Sequence, residues 1–142
     1  MPRRRPGQLR AHPRPWWQLG RKFPQVSGVS AGTVRAIAEL ERDRLKPGAI
    51  AEALDGWSRF VHGTRHTLAT YAPEDCPCPG CQWDDPVERR KALLLALHVL
   101  PTRAARELRA LIRPLDERYL SRSVPAPETS HIRYLLTVDP AG

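Results

Sequence analysis

Apolar residues recur at three- and four-residue intervals over most of the chain, the signature of helices that bury one side. Val34, Ile37, Leu40 and Leu45 give an apolar side to a helix that starts at Ser30 or Thr33 with a hydroxyl cap and stops at Pro47-Gly48. A second helix follows over 49–71, striped by Ile50, Leu54, Trp57, Val61, Thr64, Leu68 and Tyr71, with Gly63 as its weak point. Asp85-Pro86-Val87-Glu88 then combines a capping aspartate, a proline at the first helical position and an acid in the first turn. That helix runs to Leu100, and its stretch from Ala92 to Leu100 is apolar nearly all round apart from His98, which makes it the central one. After Pro101 a further helix turns Ala104, Leu108, Leu111 and Ile112 inward, and Pro114 kinks or restarts it toward Leu115, Tyr119 and Leu120. Residues 131–138 form a short strand or helix in an otherwise loose end. Strand signals are too thin for a sheet, so the fold class expected is all-α, with four to five helices.

Charge divides the chain differently. The formal net charge is +8, yet residues 1–22 alone carry Arg3, Arg4, Arg5, Arg10, Arg14, Arg21 and Lys22 with no acidic residue, which leaves +1 for the rest. Four prolines among these arginines oppose a helix, so the segment reads as a disordered or extended arm. No apolar region follows the charges as it would in an export signal. Trp16-Trp17 stands in this arm, suited either to capping the edge of the core or to stacking on bases while the arginines hold phosphates. The organisation expected is an arm at 1–26, a helical domain at 27–123 and a loose segment at 124–142. No apolar run of membrane-spanning length is present, so no membrane partner is expected.

All three cysteines fall in Cys76-Pro77-Cys78-Pro79-Gly80-Cys81, between the second and the central helix. At C-x-C-x-x-C spacing three thiolates can face one point, with Pro79-Gly80 supplying the turn, and structural zinc takes four such ligands. His66, ten residues before Cys76, is the fourth ligand expected; His62 is the second choice or an outer-shell partner, with His98, Asp75, Asp84 and Asp85 as further candidates. The same residues also suit a surface loop with three reduced thiols, or a redox pair. An odd count at such close spacing argues against a disulfide scaffold, and three free thiolates suit a reducing cytoplasm. Pro77-Cys78-Pro79-Gly80-Cys81 matches the P-C-x-x-C half of zinc nucleobase deaminases, but neither His62 nor His66 begins the H-x-E that supplies their proton-shuttling glutamate. Three cysteines and a histidine also leave no open position for water, so the zinc expected is structural.

Three resemblances accompany these motifs. The cysteine cluster together with segment 103–120 resembles uncharacterised small proteins of high-GC actinobacteria, which implies no activity. Gly28-Val29-Ser30-Ala31-Gly32-Thr33-Val34-Arg35, continued by Glu39-Leu40-Glu41, resembles the turn and recognition helix of GntR-family winged-helix regulators. That resemblance implies that Ser30, Thr33 and Arg35 approach DNA, while Pro24 stands where the preceding helix of such a motif would run. The Leu100-Pro101-Thr102-Arg103-Ala104 turn resembles one in region four of sigma factors, without the helix-turn-helix that follows it there. The function expected is a non-enzymatic, zinc-stabilised binding module associated with nucleic acid through its arm; the alternative is a protein-protein adaptor.

Overall fold

The computed structural model describes residues 23–63 and 85–138. Among them are five helices and no strand: α1 (Ala31–Arg44), α2 (Ala49–Val61), α3 (Pro86–Val99), α4 (Thr102–Arg122) and α5 (Pro127–Thr137). No described helix is long and apolar enough to cross a membrane. Helix α3 touches all four others and is the axis of the bundle. Its Leu93 and Ala96 are fully buried, alongside Ile50 and Trp57 of α2 and Leu108 and Tyr119 of α4.

Local chemistry sets the helix ends. Ser30 caps α1, its Oγ accepting from the Thr33 N–H at 3.3 Å. Asp85 caps α3 through the Val87 N–H at 2.8 Å, with Pro86 in the first turn. Between α1 and α2 the chain turns at Gly48, which has φ +81 and on which a Cβ would sit 2.8 Å from Pro24 Cδ, so glycine is required for both conformation and space. Glycine brings no capping side chain, and α1 supplies one instead. The buried Glu41 carboxylate accepts from the Gly48 and Ile50 N–H groups, each at 2.9 Å, placing negative charge at the positive end of α2.

Helix α2 is shorter than its apolar stripe predicts. It ends at Val61 with His62 as C-cap, and Gly63 follows; the remainder of the expected stripe, from Thr64 on, lies outside the described residues. Arg122 of α4 closes this end by donating to the carbonyls of Val61 (2.8 Å) and Gly63 (2.5 Å). Tyr119 of α4 stacks on Phe60 at a ring-centroid distance of 6.1 Å and meets Trp57 in a tilted contact at 5.5 Å, which locks α2 onto α4.

Pro114 does not restart α4, which runs through it unbroken to Arg122. Proline removes one backbone donor, but Leu108 and Ile112 before it and Tyr119 after it are all buried on one side, so packing holds both halves in a single helix. Leu120 is 42 % exposed, because Tyr119 takes the buried position. The expected strand or helix at 131–138 is a helix that begins earlier, at Pro127, where the Ala126 N–H donates to Thr129 Oγ1 at 3.0 Å. Ile132 and Leu135 are buried, α5 packs against α3, and Arg133 donates to the carbonyl and hydroxyl of Ser123.

Candidate functional site

Cys76, Cys78, Cys81 and His66 lie outside the described residues, as do Asp75 and Asp84. His62 is described. It is exposed at the C-cap of α2, with Nδ1 2.7 Å from the Ser58 carbonyl oxygen. A carbonyl only accepts, so Nδ1 carries the proton and Nε2 keeps the lone pair that a metal requires. Helix α2 has ended before His62, which stands at its C-cap and not within the helix. Of the spare candidates, Asp85 caps α3 and His98 is exposed on that helix. Among the described residues no three His, Cys, Asp or Glu side chains gather into a group able to hold a metal ion.

The arm residues Arg3, Arg4, Arg5, Arg10, Arg14, Trp16, Trp17, Arg21 and Lys22 likewise lie outside the described residues. The segment implied to resemble a recognition helix is α1, and the described residues before it, 23–30, contain no helix. Thr33 is buried, Arg35 is exposed, and Ser30 is engaged from α4. Glu107 accepts from the Ser30 N–H at 2.6 Å and from its hydroxyl at 3.0 Å. The Ser30 backbone bond, with help from the Ser30 and Thr33 hydroxyls and the Arg103 charge, holds the Glu107 carboxyl below its ordinary range against an opposing contribution from burial. A carboxylate thus already occupies the N-terminus of α1, where a phosphate would otherwise dock.

Two features escaped the sequence reading. Arg90 is fully buried and bonds Asp116 of α4 through Nε (3.1 Å) and Nη2 (2.7 Å), while Trp57 Nε1 donates to the same carboxylate at 3.0 Å. Arg90 falls in phase with Val87, Leu93 and Leu97, so a charged residue at an apolar position was the available signal. The second feature is an arginine row on the outer face of α4, where Arg106, Arg109 and Arg113 line one groove with Thr102 and Ala110. Its three- and four-residue spacing lies wholly before Pro114, on the helix already expected from the sequence, and was the available signal. A cavity of about 820 Å³ opens between segment 23–26 and α1 and is lined by Phe23, Pro24, Val26, Val34 and Ile37 among others.

No protein family, curated protein or solved structure matches the chain.

Proposed function

We propose that this chain is a non-enzymatic helical binding module, stapled by one structural zinc, that associates with nucleic acid through its basic arm. Segregation of charge carries the reading: residues 1–22 hold seven cations and no carboxylate, whereas in the bundle Arg44, Arg59, Arg89, Arg90 and Arg103 each face a carboxylate. Cations gathered in one stretch that holds no carboxylate displace counterions from a phosphate backbone, which gives affinity with little sequence preference. The zinc would be held by Cys76, Cys78 and Cys81 with His66 or His62. The lone pair left on His62 Nε2 supports the second choice.

Binding to duplex and single-stranded nucleic acid at two salt concentrations, with and without residues 1–22, tests the proposal. Salt-sensitive binding that disappears with the arm supports it. The adaptor reading draws on one observation, the 53 % exposed Phe23 beside the apolar groove over α1, and it takes over if neither form binds.

A further inference from the structure

We infer that α4 carries a second contact site for a nucleic-acid phosphate backbone, formed by Arg106 and Arg113 with Arg109 between them. This rests on the nucleic-acid reading above and adds to it a surface on the folded bundle. Arg106, Arg109 and Arg113 succeed one another at three and four residues, so they stand on one side of the helix, away from buried Leu108 and Ile112. Seven residues at about 1.5 Å each separate Arg106 from Arg113 by about 10 Å. That distance is the rise of about three nucleotides on one strand at about 3.4 Å each. Ala110 and Thr102 line the same groove, and their small side chains allow a backbone to approach.

The bundle uses most of its other arginines internally. Arg44, Arg59, Arg89, Arg90 and Arg103 face carboxylates, and Arg122 and Arg133 bond main-chain carbonyls. Arg106 and Arg113 are exposed, and neither forms an ion pair among the described residues. Two acids bound the row. Glu117 lies one turn beyond Arg113, and Glu107, on the adjacent side, is turned to Ser30. What remains is a line of two exposed guanidinium groups, those of Arg106 and Arg113, each able to bind phosphate oxygens in a bidentate manner. A regularly charged polyanion engages such a line along its length, where an isolated carboxylate engages one member.

The test uses the full chain and fluorescence anisotropy over a salt series, with duplex DNA, duplex RNA and single-stranded DNA as separate probes. The double variant Arg106→Ala/Arg113→Ala is compared with Arg42→Ala/Arg118→Ala, which removes the same charge from exposed positions elsewhere. The slope of log K against log salt is expected to fall by about 1.8 on duplex and about 1.4 on single strands for the α4 pair. The control pair should leave it unchanged, and Arg106→Lys/Arg113→Lys should restore it. Which probe shows the loss identifies the nucleic acid engaged. If the wild type binds and the α4 pair keeps its slope, or if the control pair loses as much, the α4 site is overturned and the arm reading stands. If the wild-type chain binds none of the probes at low salt, both fall.

Discussion

At the scale of single residues, the Arg90–Asp116 pair is the point of greatest sensitivity. Arg90 is fully enclosed and Asp116 is 16 % exposed, so removing the acid leaves a cation with no compensating charge in the interior. Asp116→Ala should cost about 3–5 kcal/mol in urea unfolding. Part of that loss comes from Trp57 Nε1, which gives up its acceptor. Arg90→Met combined with Asp116→Asn removes the charges while keeping an oxygen for Trp57, and should recover most of the stability; a double variant no better than Asp116→Ala would show that the ion pair is not the source. Glu107 gives a pH-dependent counterpart. Its folded pKa lies below the ordinary 4.5, so in the interval between them the unfolded chain binds more protons and stability rises with pH. The contribution is complete above 4.5 and is lost as pH falls through the folded value. Glu107→Gln should therefore flatten the acid limb of a urea-midpoint profile, and parallel limbs in variant and wild type would count against the Ser30 contact as its cause.

Among the elements, α4 bears the clearest internal tension. Proline in a helix interior is about 3 kcal/mol less favourable than alanine, yet α4 passes through Pro114 because buried Ile112 and Tyr119 flank it. Pro114 is exposed, so Pro114→Ala restores a backbone donor without disturbing the core and should stabilise the chain by about 1–3 kcal/mol; an unchanged or lower melting temperature would refute this. The same helix shows what a sequence conceals. The caps at Ser30 and Asp85 were legible because they depend on residues two or three positions apart. Continuity at Pro114 was not, since it depends on partners supplied by other helices. Nor was the burial of Arg90, whose acceptor is 26 residues away on α4. The cysteine spacing advertised a metal ligand set, whereas the arginine row stayed hidden while net charge was averaged over everything beyond the arm.

For the molecule as a whole, the zinc reading makes folding and metal binding one process. Metal analysis of protein prepared without chelator should find about one zinc per chain, and a chelator should lower the melting temperature. Replacing Cys76, Cys78 or Cys81 by Ser should abolish the metal, and the larger loss between His66→Ala and His62→Ala identifies the fourth ligand. A chain purified free of zinc with an unaltered melting temperature would end that proposal. The contact between Ser30 and Glu107 bears on synthesis as well as on stability, because 77 residues separate the partners. A ribosome adding about 5–20 residues per second needs about 4–15 s to make that stretch. Throughout that interval α1 lacks the acid that completes its N-terminus, and the Ser30–Thr33 bond is the side-chain cap available to it. Among the described helices, the earliest to be translated is thus finished by the fourth of five to emerge.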